Sequence, residues 1–146
     1  MRLVTDTNIL VRCSQGRAMH LAAGLTRAGI DLLTTRYNAA ECDRVLQRVF
    51  GLDEAQSRAE TGDLLSLFAV IEPDSLADAA PAALARLAQG GASDWPVLAA
   101  ALGYEADIWS DDRDFFGVGV PVWSTRNVLN LASPISTERP QNGGPV

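Results

Sequence analysis

Acidic side chains stand at several points where a predicted strand ends or a helix begins. Asp6 follows an opening run of β-branched and apolar residues, and three aspartates follow the apolar pair Ile108 and Trp109. Asp94 stands at the start of a predicted helix, and Glu41 lies in the first turns of another. The carboxylates concerned are those of Asp6, Glu41, Asp94, Asp111, Asp112 and Asp114.

Carboxylates that converge in a protein without lysine repel one another unless a divalent cation neutralises them. Mg²⁺ or Mn²⁺ suits such a set because these ions bind a few carboxylates and keep several waters. The remaining positions accept a phosphate oxygen and an attacking water. The pattern therefore predicts magnesium-dependent or manganese-dependent hydrolysis of phosphodiester bonds.

Each of these residues also has a purely structural interpretation. Asp6, Asn8 and Asp94 are of the types that cap helices. Glu41 fits a solvated helix position, and residues 111–114 fit a polar loop. The combination carries more information than any one of its members, because the acids come from distant parts of the chain and the predicted topology brings them to one edge of the sheet.

The elements that must position these acids alternate between strands and helices. This alternation predicts a parallel sheet that helices cover on both faces. Ligands of such sheets bind outside the carboxyl ends of the strands, where the acids stand. Strands are predicted at 1–5, 30–35, 68–71, 107–110 and 120–124. Helices are predicted to begin at about 9, to cover 19–28, to run from 38 to near 51 and from 53 towards 68, and to cover 75–89 and 94–103.

The composition limits the function classes. The chain has 146 residues, 47% of them hydrophobic and 21% charged, which fits one soluble globular domain. All twelve basic residues are Arg, so lysine Schiff-base and phosphate-loop chemistry is excluded. The net charge of −6 disfavours nucleic acid, so an RNA ligand needs local Arg residues or a cation. The more basic first 58 residues supply the candidate RNA contacts, which are Arg12, Arg17, Arg36 and Arg44.

The remaining composition predicts a cytoplasmic protein without a membrane segment. Cys13 and Cys42 lack the spacing of a zinc site or disulfide framework, and no apolar run approaches the roughly 18 residues that span a bilayer. Residues 133–146 are rich in Pro, Ser, Asn and Gly, which predicts a disordered tail after a domain at 1–132. The three tryptophans, Trp95, Trp109 and Trp123, are interpreted as core or interface residues.

Four segments together resemble a PIN domain, the metal-dependent ribonuclease fold of VapC-like toxins in toxin–antitoxin pairs. The opening VTDTNIL is similar to the family's first strand and its Asp-Thr-Asn turn, and NAAECDRVL to its glutamate-bearing helix. The stretch SDWPVLAAALGYEADIWSDDRDFFG is similar to its third and fourth acidic motifs, and VPVWST to its last strand. The resemblance covers about residues 1 to 130.

The resemblance implies a three-layer α/β/α sandwich, a homodimer and the family's acidic quartet. The quartet is Asp6, Glu41, Asp94 and Asp112, in which Asp6, Asp94 and Asp112 bind the metal and Glu41 binds or activates water. Asn8 orients the first aspartate, Ser110 lies near the metal, and Asp114 is a possible fifth acid. Asp111 precedes the fourth acid, and the spacing to Asp114 and Phe115 favours Asp112 over Asp111 as the residue that faces the site. A toxin would also have an antitoxin whose tail covers the acidic pocket.

Three other interpretations remain open. A haloacid-dehalogenase-type phosphatase also has aspartates at strand ends, but it needs a second acid where Asn8 stands and a lysine. A non-catalytic PIN scaffold would bind RNA or protein without cleavage, and the complete set of four acids argues against it. A housekeeping RNA-processing nuclease has the same fold as a toxin, and a short antitoxin gene upstream would distinguish the two.

Overall fold

Five parallel strands form the centre of the computed structural model, which describes residues 1–87 and 91–132. The strands are short, and most of their residues are buried because helices cover both faces. The predicted disordered tail, 133–146, lies outside the described residues. In chain order the strands are β1 (Arg2–Thr5), β2 (Asp31–Thr35), β3 (Ala69–Ile71), β4 (Asp107–Trp109) and β5 (Val122–Trp123).

The strand order β3-β2-β1-β4-β5 places β1 at the middle of the sheet. Thr5 of β1 pairs with Trp109 of β4, and Val4 of β1 pairs with Leu33 of β2. Because the order reverses direction at β1, the crevice beside its carboxyl end is the expected ligand site. Asp6 follows β1 and Ser110 follows β4 at this same edge.

Helices form the two outer layers. Successive residues of a strand face opposite sides of a sheet, so Leu3 packs in one core cluster and Val4 in the other. Trp109 and Val128 join the cluster of Leu3, whereas the cluster of Val4 includes Phe115. The helices are α1 (Thr7–Ser14), α2 (Met19–Arg27), α3 (Arg36–Arg48), α4 (Glu54–Leu65), α5 (Ala80–Arg86), α6 (Trp95–Gly103) and α7 (Thr125–Ala132).

This architecture is the three-layer α/β/α sandwich that the sequence predicts. Short 3₁₀ helices at Ala92–Asp94 and Arg113–Phe115 carry acids at the carboxyl edge. The helix predicted at 75–89 is wrong in extent, because a 3₁₀ turn at Pro73–Leu76 precedes the short α5. Within the parts of the chain that the structure describes, every helix is too short or too polar to cross a membrane.

The helix α7 has no counterpart in the sequence prediction, and a distant side chain fixes its start. Asp111 accepts hydrogen bonds from the Thr125 amide and the Thr125 hydroxyl, both at 2.7 Å. Arg12 forms an ion pair with the same carboxylate at 2.7 Å. Asp111 therefore joins the loop after β4 to the first turn of α7 and to the end of α1.

We expect Asp111→Ala to lower the free energy of unfolding by about 1–2 kcal/mol, because the α7 amide and Arg12 lose their acceptor. Urea denaturation measures the loss. The control is Asp78→Ala, which removes an exposed aspartate from a turn and should change stability by less than about 0.5 kcal/mol. Equal stability of the two variants would show that Asp111 does not hold α7.

Candidate active site

A small polar cavity of about 110 Å³ opens at the carboxyl edge of β1. It contains the four acids of the expected quartet, and it brings together residues from the start of α1, from α3, from the 3₁₀ turn before α6 and from the loop after β4. Asn8 also lines it. The lining residues are Asp6, Thr7, Asn8, Asn38, Glu41, Ser93, Asp94 and Asp112.

Asp6 is the most buried acid of the cavity, with 5% of its surface exposed. One carboxylate oxygen accepts from the Ile9 amide at 3.0 Å and so caps α1, and the other accepts from the hydroxyl of Ser110. Burial raises the pKa of Asp6 above its ordinary value, although these two hydrogen bonds act in the opposite direction. The structural and functional interpretations of Asp6 are therefore compatible, since capping occupies only one of its oxygens.

A chain of hydrogen bonds holds Glu41 at the cavity. Its carboxylate accepts from the hydroxyl of Thr7 at 3.0 Å, and that hydroxyl accepts from the Asn38 side-chain amide at 3.0 Å. Thr35, which caps α3, accepts from the backbone amide of Asn38 at 3.1 Å. Glu41 is thus oriented by buried neighbours while its own side chain remains accessible to water.

Three carboxylates form the tightest acidic cluster of the described residues. Oxygens of Asp94, Asp112 and Asp114 lie within 4.8 Å of one another. Asp112 accepts from the backbone amide of Asp114 at 2.9 Å, and its own amide donates to the Ser110 hydroxyl at 3.0 Å. Asp114, the expected supporting residue, therefore lies within 4.8 Å of both Asp94 and Asp112.

Burial and the neighbouring carboxylates both disfavour the ionised form of Asp94. Burial and then the neighbouring carboxylates, led by Asp112 and Asp114, raise the pKa of Asp94 to about 6. Its side chain makes no capping hydrogen bond to α6 within the described residues, so the capping interpretation of this residue is wrong. Several oxygen ligands with unrelieved negative charge are the donor set that a hard divalent cation such as Mg²⁺ requires.

Gly91 allows the loop before α6 to approach Asp114. Its φ of +72° lies in the left-handed region, and a Cβ atom at this position would lie 2.9 Å from Cβ and Oδ2 of Asp114. That separation is too short for a side chain. A glycine at position 91 therefore permits Asp94 and Asp114 to share one site.

The two neighbouring aspartates after β4 face different partners. Asp111 binds Arg12 and Thr125, whereas Asp112 lines the acidic cavity. This geometry agrees with the choice of Asp112 as the acid that faces the site. Asp111 instead lines an open groove of about 440 Å³ that adjoins the cavity, together with Asn8, Val11, Arg12, Val45 and Asp112.

The four arginines proposed for RNA contact are all exposed. Arg12 lines the groove beside the cavity, and Arg36 forms an ion pair with Glu72 at 2.7 Å. Arg44 lies further along α3, and Arg17 follows α1.

The two cysteines offer no reactive thiolate, because burial raises the pKa values of both Cys13 and Cys42 to about 12.

Thr7, Asn38 and Ser93 belong to the cavity and were not identified from the sequence. Thr7 stands between Asp6 and Asn8 in the first motif, and Asn38 begins the segment that carries Glu41, so both residues lie within motifs that the sequence analysis identified.

A larger depression of about 520 Å³ lies at the opposite edge of the sheet, beside Arg2 and Asp31. It has no cluster of acids among its described lining residues and is not the candidate site.

Comparisons with known proteins agree with this geometry. The family model of the PIN domain matches residues 4–132. The structure is similar to a chain of VapBC2 from Rickettsia felis, which was crystallised with a DNA fragment from the promoter. The TM-score is 0.67 and the sequence identity is 14%, and the match covers 85% of this chain and 98% of the VapBC2 chain. PAE2754 from Pyrobaculum aerophilum gives a TM-score of 0.66 and 17% identity, over 90% and 96%. No curated protein shows significant sequence similarity to the chain.

The first prediction for the site concerns Gly91. Gly91→Ala should destabilise the protein by more than the roughly 1 kcal/mol that a positive φ costs an alanine, because its Cβ also overlaps Asp114. Gly16→Ala is the matched control, since Gly16 has a φ of +81° and open space around its Cβ position. Urea denaturation of both variants measures the difference. Equal losses would mean that Asp114 moves away without cost.

The second prediction concerns the charge of Asp94. Its pKa of about 6 in the folded protein exceeds the ordinary 3.8, so the ionised carboxylate lowers stability above about pH 6, and this penalty vanishes below about pH 4. Asp94→Asn should therefore stabilise the metal-free protein at neutral pH. Because Asp94 is partly exposed, screening limits the gain to on the order of 1 kcal/mol.

Urea denaturation in EDTA between pH 4 and 8 tests this prediction. The gain should shrink as the pH falls, and Asp78→Asn, which removes the charge of an exposed aspartate in a turn, should show little gain at any pH. An Asp94→Asn variant that is less stable than the parent at neutral pH would show that repulsion is not the dominant effect at this position.

Proposed function

The chain belongs to the PIN domain family, and from this membership we propose that it is a metal-dependent endoribonuclease and the toxin of a toxin–antitoxin pair. The reaction would be hydrolysis of RNA phosphodiester bonds. One observation carries the proposal: Asp6, Glu41, Asp94 and Asp112 come from four separate segments and line a single polar cavity. A structural role for each acid alone gives no reason for that convergence.

The proposed cation is Mg²⁺ or Mn²⁺, and Asp6, Asp94 and Asp112 are its proposed ligands. Asp114 joins them in the proposal because its carboxylate lies within 4.8 Å of those of Asp94 and Asp112. A cation held there would neutralise the negative charge of the carboxylates and of an approaching phosphate, and it would increase the acidity of a water molecule bound to it. Ser110 keeps Asp6 and Asp112 in place by donating to one and accepting from the other.

Glu41 is the proposed proton acceptor for the attacking water. Its carboxylate lines the cavity and is exposed to solvent, which a group that receives a proton from water requires. Thr7 holds one of its oxygens at 3.0 Å and leaves the other free of hydrogen bonds within the described residues. Asn8 lines both the cavity and the adjoining groove, where it would orient the substrate or Asp6.

Phosphate contacts outside the cavity are proposed for Arg12, Arg17, Arg36 and Arg44. Arg12 has the strongest support, because it lines the groove that adjoins the cavity and keeps 51% of its side chain exposed. An RNA phosphate in this groove would compete with Asp111 for the guanidinium group. Arg36 and Arg44 lie on α3, and Arg17 follows α1.

The toxin role further implies protein partners. Because the chain resembles VapC-like toxins, we propose an antitoxin whose tail covers the acidic cavity, with an arginine among the carboxylates. Such a tail would exclude the cation, because its arginine and the cation would bind the same carboxylates. A homodimer and a cytoplasmic location complete the proposal, and buried free Cys13 and Cys42 are compatible with a reducing compartment.

Cleavage of an RNA panel tests the proposal. The purified protein should cut single-stranded or loop RNA with Mg²⁺ or Mn²⁺ and not with EDTA. Asp6→Asn and Asp112→Asn should each reduce the rate by more than about 100-fold, since loss of an outer-shell partner alone costs 10–100-fold. Asp78→Asn, with the same change of charge outside the cavity, should keep the parent rate.

Two results would contradict the proposal. Cleavage that persists in EDTA and in Asp6→Asn would indicate a contaminating ribonuclease. A folded protein that binds RNA but cuts no member of a panel of transfer, ribosomal and messenger RNAs would instead be a non-catalytic scaffold. Cutting that an upstream-encoded small protein suppresses would support the toxin over a housekeeping nuclease.

A further inference from the structure

Two aromatic rings pack together next in sequence to Asn38 and Asp94, which line the acidic cavity. Tyr37 and Trp95 pack edge to face, with ring centroids 5.4 Å apart and an interplanar angle of 62°. Trp95 is half-buried and packs against the core cluster that contains Val4 and Phe115. Tyr37 remains 44% exposed. One ring of the pair is therefore anchored in the protein, and the other is held by it while still facing solvent.

The pair connects the two elements that carry Glu41 and Asp94. Tyr37 and Glu41 are four residues apart in α3 and so lie on the same face of that helix. Trp95 directly follows Asp94, and both Glu41 and Asp94 line the cavity. The exposed ring of Tyr37 is consequently next to the acids and not on a remote surface.

We propose that Tyr37, supported by Trp95, is a stacking platform for an unpaired base of the RNA substrate. The inference rests on the proposed function, which it extends by naming the contact that selects the substrate. A base can stack on a protein ring only when it is free of its own neighbours, so the platform favours single-stranded segments and loops over duplex RNA. Tyr37 is a binding residue in this proposal and takes no part in proton transfer.

The charge of the protein explains why such a contact is needed here. The chain carries a net charge of −6, and a polyanion approaching the cavity meets several carboxylates. Stacking on an aromatic ring depends little on charge, so it adds affinity that the surrounding carboxylates do not weaken. Arg36, the neighbour of Tyr37, forms an ion pair with Glu72 at 2.7 Å, so part of its positive charge is already balanced by a carboxylate at this point of α3.

The test compares two RNA probes. One is a pool of single-stranded 12-mers of mixed sequence, and the other has the same backbone without bases. Binding is measured by fluorescence anisotropy with Ca²⁺ in place of Mg²⁺, because carboxylate oxygens also bind Ca²⁺. The parent should prefer the probe with bases. Tyr37→Ala should weaken binding of that probe about tenfold and leave the abasic probe unchanged, while Tyr37→Phe should behave as the parent does.

The matched control is Phe50→Ala. Phe50 is also 44% exposed, but it follows the far end of α3, so its loss should change neither affinity. Size-exclusion chromatography of each variant shows whether the oligomeric state has changed.

Four results would overturn the inference. They are equal parent affinity for both probes, unchanged binding by Tyr37→Ala, an equal loss in Phe50→Ala, or a Tyr37→Ala variant that loses affinity for both probes as it changes oligomeric state. The last result would assign Tyr37 to an interface between copies. The first three leave the proposed ribonuclease function intact, whereas a parent that binds neither probe contradicts both proposals.

Discussion

The parallel pairing of β1 with β4 is the constraint on which the site depends. Thr5 lies opposite Trp109 in this pair, so Asp6 and Ser110 leave the sheet side by side and the Ser110 hydroxyl donates to the Asp6 carboxylate. The same hydroxyl accepts from the amide of Asp112. A shift of one residue in the register would place the side chains of Asp6 and Ser110 on opposite faces of the sheet. Asp6 and Asp112 would then no longer share one cavity.

The fold keeps these acids together against their mutual repulsion. Core packing fixes the elements that carry them, and the left-handed turn at Gly91 lets Asp114 approach Asp94. The nearest arginine in the adjoining groove, Arg12, is directed to Asp111, so the negative charge of the cavity is not neutralised by that side chain. The stability of the elements around the site thus maintains a local concentration of negative charge that a bound cation would relieve.

The alternation of strands and helices and the four acids that line the cavity were both identified from the sequence, because both depend on local patterns. Asp6 follows an apolar run, and a buried parallel strand is recognisable from such a run. Features that depend on distant contacts were missed. The first turn of α7 is held by a hydrogen bond to Asp111, fourteen residues earlier. The exposed ring of Tyr37 packs against Trp95, which lies on another helix. The orientation of Asp111 away from the cavity likewise follows from Thr125 and Arg12, which no local pattern reveals.

Calorimetric titration of the EDTA-treated and dialysed protein with Mn²⁺ tests the central claim most directly. The account predicts saturable binding in the parent and in Asp78→Asn, and strongly weakened binding in Asp112→Asn, whose missing charge belongs to the cluster. Absence of binding in the parent at millimolar Mn²⁺, or equal binding in Asp112→Asn, would contradict the claim that these carboxylates form a cation site.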